Sequence, residues 1–279
     1  MKEKSTIHKE VFLSGVGIHS GKKVDLFLRP SSRGEIIFCR SDLGNLELRL
    51  DPRKVEGDRS TSLVGKGCKI QTLEHLLAVL FMFGIDSLAI ELNGPEIPAL
   101  DGSASPFVQA ILSAGVKPLR QEKKTVKILK PFTLEEEGAS LSFFPVSGFQ
   151  ISYSIEYDHP LIQRQELSLE LDLEGFITQI APARTFGFLE DVPSLRSRGL
   201  AAGGSLDNAV VLDKKGAMSG ALRYPDEFVR HKILDLIGDL SLFGFPLLGH
   251  FKAHKAGHQL HLKAVHFLLD NPEYWTYEK

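Results

Sequence analysis

Four side chains suited to metal or proton chemistry are spaced four residues apart in the C-terminal part of the chain. They are Glu227, His231, Asp235 and Asp239, in the segment EFVRHKILDLIGD. In a helix they would share one narrow strip, on which three carboxylates repel each other. A divalent cation would reverse the sign of that energy, because histidine and carboxylate are standard ligands and the remaining acids can support them. The strip therefore predicts a metal site that needs a further ligand from elsewhere, with Glu227 left as an acid in the favourable first turn of the helix.

The further ligand that we predict is His75, in the otherwise apolar segment TLEHLL at 72–77. Taken alone, this residue could equally be a buried histidine with one hydrogen-bond partner. Glu74 beside it favours catalysis, because a catalytic zinc site has three protein ligands, an open position for water and a base near that water. His75, His231 and Asp235 would come from two helices, so the pattern differs from HExxH, in which both histidines share one helix.

A candidate acid lies in the segment AHKAGH at 253–258. Gly257 would allow a sharp turn that presents His258 to the site, and a protonated His258 could donate its proton to a leaving group. Lys232 or Lys255 could bind an anionic substrate. The alternative is a polar loop with chance histidines, since the chain has 10 of them. An acid–base pair of Glu74 and His258 predicts a bell-shaped pH profile.

Glycine-rich segments offer further candidates. In ARTFGF at 183–188, Thr185 could offer a hydroxyl to a developing oxyanion, although a strand and a turn explain the composition as well. Leu195 and Leu200 belong to an apolar stretch that could hold a lipid chain or be part of the core. The segment GVGIHSG at 15–21 has the wrong spacing for a dinucleotide-binding loop and precedes a strand, but His19 can still lie near the site.

Length and composition exclude several classes of protein. The 279 residues are 43% hydrophobic and 24% charged, which suits one large domain or two modest ones. The net charge of -2 creates no field for nucleic acid, and two cysteines without a CxxC pair suit a reducing compartment. The N-terminus lacks the apolar region of a signal peptide, and the longest apolar run, 76–83, is too short to span a bilayer. We predict a cytoplasmic monomer without a transmembrane segment, with docking at the inner membrane surface left open.

Hydrophobic periodicity, together with capping residues, glycine and proline at the ends, predicts helices at 72–83, from Ser105 to Gly115, at about 191–198, at 226–243 and at 259–269. Strands are predicted at 7–13, 24–28, 87–92, 125–134, 139–144, 149–157, 166–172 and 247–254. The charged segment 117–124 is the best domain boundary. The two halves resemble each other, because His75 and Asp235 are each followed nine residues later by the glycine of a Phe-Gly pair, then a strand, a loop and a helix. If this is a duplication, a metal bound by both residues would lie between the halves, where pockets commonly form.

These motifs together resemble the UDP-3-O-acyl-N-acetylglucosamine deacetylase family, zinc amidases of the lipid A pathway. The matching segments run in family order along nearly the whole chain: GVGIHSG at 15–21, TLEHLL at 72–77, GPEIPALDGS at 94–103, ARTFGF at 183–188, GGSLDNA at 203–209, VRHKILDLIGD at 229–239 and KAGH at 255–258. The set is highly specific, although no single segment is.

The resemblance implies a zinc ion held by His75, His231 and Asp235, with Glu74 as general base and His258 as general acid. It implies that Asp239 orients His258, and that Thr185 and Lys232 contact the substrate or the oxyanion. The substrate would be an acylated UDP-amino-sugar that loses acetate. Its predicted contacts are His19, Tyr157 (by stacking on uracil), Phe186, Leu195, Leu200 and Lys255.

The family fold implies an α+β protein of two similar domains, each a helix pair packed on a β-sheet. The first domain would span residues 1–120 and supply Glu74 and His75. The second would span 121–279 and supply His231, Asp235 and His258, with an insertion near 186–212 that forms a hydrophobic passage for the acyl chain. The chain departs from the family in two places: His254 stands where an aromatic residue is usual, and His261 where asparagine is usual.

Two rival hypotheses remain at this point. One is another zinc hydrolase on the same scaffold, such as a peptidase, which would need neither a lipid passage nor phosphate-binding lysines. The other is a non-catalytic, metal-stabilised binding protein, whose metal would be closed off by a fourth protein ligand.

Overall fold

A computed structural model describes residues 3–278 of the chain. Within these residues the α-helices are α1 Glu74–Met82, α2 Ser105–Ala114, α3 Leu173–Gly175, α4 Val192–Ser197, α5 Glu227–Ser241 and α6 His258–Asp270. The strands of the N-terminal half are β1 Glu3–Ile7, β2 Val11–Val16, β3 Lys23–Pro30, β4 Ile36–Arg40, β5 Leu46–Arg49, β6 Val55–Gly57, β7 Thr61–Gly65, β8 Cys68–Ile70, β9 Leu88–Leu92 and β10 Val116–Glu122. Those of the C-terminal half are β11 Val126–Ile128, β12 Phe132–Glu136, β13 Ala139–Phe144, β14 Phe149–Tyr157, β15 Gln163–Glu170, β16 Phe186–Phe188, β17 Val210–Asp213, β18 Gly216–Ala217, β19 Leu247–His254 and β20 Trp275–Tyr277.

The two halves share a five-strand path of the same topology, and the sheet of the second half has two further strands, β11, which is also parallel to β19, and β20. In the first half the strand order is β2-β3-β9-β4-β5, and only the β4–β9 pair is parallel. In the second half β12-β13-β19-β14-β15 follows the same order, and β14–β19 is the matching parallel pair. The expected α+β fold of two similar units is therefore confirmed.

Helix α1 of the first half packs directly on helix α5 of the second. α1 is apolar almost all round and buried from Glu74 to Leu80, as expected of a helix covered on every side. Gly238 of α5 makes the close approach possible, because a Cβ there would lie 2.1 Å from the Glu74 carbonyl oxygen. The contact between these two helices brings the ligand candidates of the two halves together.

Several predicted elements differ from the structure. The strand predicted at 7–13 is two strands, because the chain bends at 8–10 between β1 and β2. The strand predicted at 125–134 is also two, β11 and β12, separated at Pro131, which cannot donate a ladder hydrogen bond. The charged segment 117–124 lies mostly in β10, which pairs with β1.

The segment predicted as an insertion forms a small sheet of its own. β16 and β17 pair in parallel, β18 adds an antiparallel edge, and α4 lies between β16 and β17 in the chain. Its glycine-rich end, 201–204, packs on the turn between β2 and β3, where a Cβ on Gly203 would lie 2.2 Å from the Gly17 carbonyl oxygen. The insertion is thus anchored to both halves of the molecule.

Candidate active site

His75 from α1 meets His231 and Asp235 from α5 in a buried cluster. One ligand atom from each lies within 4.8 Å of the other two. Asp235 Oδ1 is 3.3 Å from His231 Nε2 and 3.7 Å from His75 Nε2. Each side chain is at most 7% exposed. Two imidazoles and a carboxylate at this spacing suit Zn²⁺, which binds nitrogen and oxygen ligands tetrahedrally and can leave a fourth position open.

Neighbouring groups fix the orientation of two of these side chains. The backbone carbonyl of Ala183 lies 3.1 Å from His231 Nδ1, which holds a proton there and turns Nε2 toward the cluster. Lys232 Nζ donates to Asp235 Oδ2 over 2.7 Å, which leaves Oδ1 for the cluster. These contacts are the outer support that ligating histidines and carboxylates usually have.

Burial and charge shift the protonation of the cluster. Burial lowers the pKa of His231 to about 4, so this imidazole is neutral at pH 7 and can ligate a metal. Burial opposes ionisation of Asp235, but the charges of Lys232 and His231 outweigh it and hold the pKa of Asp235 well below its usual range. Burial likewise opposes the charge on Lys232, and Asp235 more than offsets it, so the pKa of Lys232 is raised. His231 and Asp235 are therefore in the states that metal binding requires.

Glu74 is the first residue of α1 and lies beside the cluster. Its Oε2 accepts a 2.9 Å hydrogen bond from the backbone N–H of Thr61, and the residue is only 4% exposed. Burial is the main cause that raises its pKa, and the charges of His258 and His75 partly oppose it. A carboxylate with a raised pKa is the usual form of a general base that works near neutral pH.

His258 begins α6 and is held from the side of α5 by Asp239. Asp239 Oδ2 accepts from His258 Nδ1 over 2.7 Å, and the Thr61 hydroxyl donates to Asp239 Oδ1. Although burial opposes the charge, Asp239 raises the pKa of His258 to about 9. The same pairing lowers the pKa of Asp239 to about 2, against the effect of burial. Because Nδ1 is engaged, Nε2 is the nitrogen that can deliver a proton.

The aromatic candidates lie on the insertion side of the cluster. Phe186 meets the His231 ring edge-on at 6.3 Å between ring centres, and it contacts Tyr157 at 5.8 Å. Tyr157 also packs on Phe188, so two phenylalanines already cover part of its ring. Thr185 is half-buried and donates its backbone N–H to the Gly102 carbonyl, two residues beyond the Ala183 carbonyl that holds His231.

The other predicted contacts are not part of the three-residue cluster. His19 is anchored through its backbone N–H to the buried carboxylate of Glu96 over 2.9 Å, and burial lowers the pKa of its ring. Leu195 and Leu200 are half-buried and lie outside the main hydrophobic core. Lys255 is exposed and pairs with Glu156, so the structure does not bring its ammonium group to the metal cluster.

Four residues support the candidate site in ways that the sequence did not indicate. Thr61 and Tyr153 stand in strands without any distinguishing motif, and Glu96 lies in the segment GPEIPALDGS, to which the sequence assigned no residue role. Glu227 was taken for a first-turn acid, but it is fully buried, and Arg184 donates to it from both its backbone and its guanidinium. A buried acid so paired fixes the segment that carries Ala183 and Thr185.

The fold and the site define a two-domain α+β protein with a candidate metal centre between its halves. A family model described as UDP-3-O-acyl N-acetylglycosamine deacetylase matches residues 4–270. The chain belongs to this family, as its motifs predicted. A UDP-3-O-acyl-N-acetylglucosamine deacetylase of Thermodesulfovibrio yellowstonii is 48% identical over 272 residues, which cover 97% of this chain and 93% of that protein.

Two further relatives carry the same name. The protein of Myxococcus xanthus is 45% identical, with 96% of this chain and 86% of the relative covered. That of Neisseria meningitidis is 42% identical, with 96% and 91% covered. Among residues 3–278, the structure contains no helix that combines the length and the apolar character needed to cross a membrane.

Proposed function

We propose that this chain is a zinc-dependent deacetylase that hydrolyses the N-acetyl group of a UDP-3-O-acyl-N-acetylglucosamine in lipid A biosynthesis and releases acetate. The observation that carries the proposal is the convergence of Glu74, the His75–His231–Asp235 cluster and His258 at the contact of the two halves. Relatives that span nearly the whole chain are named for this reaction. The fold alone would support many chemistries, so the proposal rests on the site and on these relatives.

The donor set fits Zn²⁺, and His75, His231 and Asp235 would hold the ion. When bound, it would polarise the amide carbonyl as a Lewis acid and lower the pKa of water at the open position. The protein groups around it would hold protons, orient side chains and exclude solvent.

Glu74 would take the proton from the attacking water. Its carboxylate faces the charge of His258, and the Thr61 N–H fixes one of its oxygens. His258 would then protonate the departing amine from Nε2 and draw on the charge of Asp239 to keep its proton until then. Thr185 and the Lys232 ammonium would stabilise the negative charge that develops on the amide oxygen.

Substrate groups would extend away from this centre toward the insertion. The apolar side chains Leu195 and Leu200, half-buried outside the core, would line a passage for the acyl chain within 186–212. Phe186 would form the wall next to His231, and Tyr157 would contact the uracil. His19 and Lys255 would contact the polar part of the substrate.

We also propose the division of the chain into domains at residues 1–120 and 121–279, a cytoplasmic location with docking at the inner membrane surface, and a monomeric state. The β10 strand, which crosses the proposed boundary, would remain attached to the first domain through β1.

Acetate release from the acylated UDP-sugar tests the proposal directly. Turnover should stop after dialysis against a chelator and return when Zn²⁺ is added in equimolar amount. The matched control variant is His266→Gln, which changes a histidine of α6 whose Nε2 bonds the Pro52 carbonyl instead of the site. Stoichiometric zinc without acetate release would favour a non-catalytic metal protein, and cleavage of peptides instead would favour the rival hydrolase.

A further inference from the structure

His261 lies one turn beyond His258 on α6 and is completely buried. Its Nδ1 is 2.7 Å from Asp239 Oδ2, the same oxygen that His258 Nδ1 approaches at 2.7 Å. Its Nε2 lies 3.3 Å from the hydroxyl of Tyr153, which donates to the backbone carbonyl of Ala256 over 2.6 Å. His261 therefore connects the carboxylate to the loop that presents His258.

The protons in this network can be assigned from the partners. Asp239 is ionised and can only accept, so both imidazoles must carry a proton on Nδ1. The Thr61 hydroxyl occupies the other oxygen of Asp239. Three donors thus converge on one carboxylate, and two of them compete for the same oxygen.

We propose that His261 is a positioning residue for the deacetylation: it shares Asp239 with His258 and limits how strongly that carboxylate holds the His258 proton. The proposal rests on the proposed role of His258 as general acid. A general acid must keep its proton until the leaving group forms and must then release it. A second donor on Asp239 Oδ2 weakens the pull of that oxygen on His258, while the Thr61 hydroxyl on Oδ1 helps to keep the carboxylate facing the His258 ring.

Several other ionisable groups face His258, and they remain unchanged when His261 is replaced. Besides the shared Asp239, they are Asp235 on α5, Glu74 on α1, and His19 in the turn between β2 and β3. A change in the protonation of His258 on substitution of His261 therefore reports on the shared carboxylate.

Two substitutions separate the donor function of His261 from its volume. His261→Asn places an amide N–H where Nδ1 stands and loses only the reach to Tyr153, so we expect the alkaline limb of kcat/KM to stay within about 0.3 of a pH unit. His261→Leu removes the donor, so the limb should move upward by about half a unit to one unit, the shift that one hydrogen bond of ordinary net strength produces. kcat should fall in the leucine variant while KM stays unchanged.

The zinc-loaded enzyme should also be titrated by NMR with labelled histidine, which follows His258 without any turnover. An upward shift of the His258 titration in His261→Leu supports the proposal even if the protein proves to deacetylate nothing, so the two failures are distinguishable. The proposal would be overturned if a folded, zinc-loaded His261→Leu protein shifted neither the alkaline limb of the pH profile of kcat/KM nor the His258 titration.

If the leucine variant does not fold, His261→Phe provides the second test. It keeps a buried ring but offers no donor to Asp239, so it should shift the His258 titration upward by the same amount, and no shift there would overturn the proposal. The control is His266→Leu, a histidine of the same helix that bonds Pro52 and should leave the His258 titration in place.

Discussion

Glu74 and His258 both lie near the candidate metal cluster, and both have shifted pKa values. Burial raises the pKa of Glu74 above its ordinary value, while Asp239 overcomes the effect of burial and raises the pKa of His258 to about 9. One group is thereby prepared to accept a proton near neutral pH, and the other to keep one. Such an assignment of base and acid follows from their surroundings more than from their residue types.

Replacement of the carboxylate in Glu74→Gln should separate catalysis from metal binding. The amide oxygen can still accept from the Thr61 N–H, so the fold and the zinc content should persist. Because the base is lost, kcat should fall by roughly 10²–10⁴. Metal analysis and steady-state kinetics on the same sample check both parts, and an unchanged kcat would remove Glu74 from the mechanism.

The dependence of kcat/KM on pH should be bell-shaped. Activity should rise with pH as Glu74 loses its proton, and fall as pH rises through about 9, where His258 loses its own. The paired His258 also stabilises the fold: because its pKa is raised, this contribution is complete below its unfolded value of 6.5 and is lost as pH rises through about 9. Melting curves of the parent and of His258→Gln should converge above that pH, and curves that stay parallel would contradict the assignment.

The candidate ligand and acid–base residues could be proposed from sequence because their spacing follows helical periodicity and their types are chemically restrictive. His231 and Asp235 sit four residues apart in the chain and meet in space for that reason. Thr61, Tyr153 and Glu96 could not be found, because each acts through a tertiary contact with residues far away in sequence. For Lys255, whose charge suggested a phosphate contact, the structure shows an exposed ion pair with Glu156, and the substrate contact stays a prediction.

At the scale of elements, the site depends on how closely α1 and α5 approach. Elements with strong periodicity were predicted well: the strands at 139–144, 149–157 and 247–254 have the bounds foreseen, and α5 differs by one or two residues at its ends. The short strands β6, β7 and β8 and the π-helical turn at Phe176–Ile180 were missed, because such short segments carry no distinctive period.

Gly238→Ala should disturb this contact more than its size suggests. The added Cβ would lie 2.1 Å from the Glu74 carbonyl oxygen, so the helices must separate at the residue that carries the proposed base. Ala favours a helix over Gly, but overpacking of this kind costs about 1–3 kcal/mol. We expect a lower melting temperature together with reduced kcat.

Gly216→Ala is the matched control, because its nearest neighbour would be 3.9 Å away and no backbone has to move. A Gly238→Ala protein as stable and active as this control would show that the α1–α5 spacing does not limit the site.

At the scale of the whole molecule, a bound metal would link the two halves, because His75 comes from one half and His231 and Asp235 come from the other. A ligand that binds only the folded state stabilises it by about 2.7 kcal/mol at 100 times its dissociation constant. The melting temperature should therefore fall after chelation and rise again with added Zn²⁺.

His231→Ala should abolish that response, because it removes one of the ligands. The melting temperature of this variant should be the same with and without Zn²⁺, as measured by calorimetry at fixed protein concentration. A variant that still responds to Zn²⁺ would mean that the ion stabilises the protein at another site.

The parallel pairs β4–β9 and β14–β19 also determine the order in which the molecule can be assembled. β4 and β9 both lie in the first third of the chain. By contrast, β13 and β14 cannot pair with β19 until nearly the whole chain has been synthesised. Long-range pairing of this kind is slow, because a large loop must close, at a cost in entropy, before the stabilising contacts form. Glu74 and His75 are therefore synthesised long before their partners on α5 and α6, and a ribosome-bound chain would hold half of the centre with nothing to complete it. If the cluster binds a metal, its uptake would be a late event in biogenesis, because it requires the synthesis of α5.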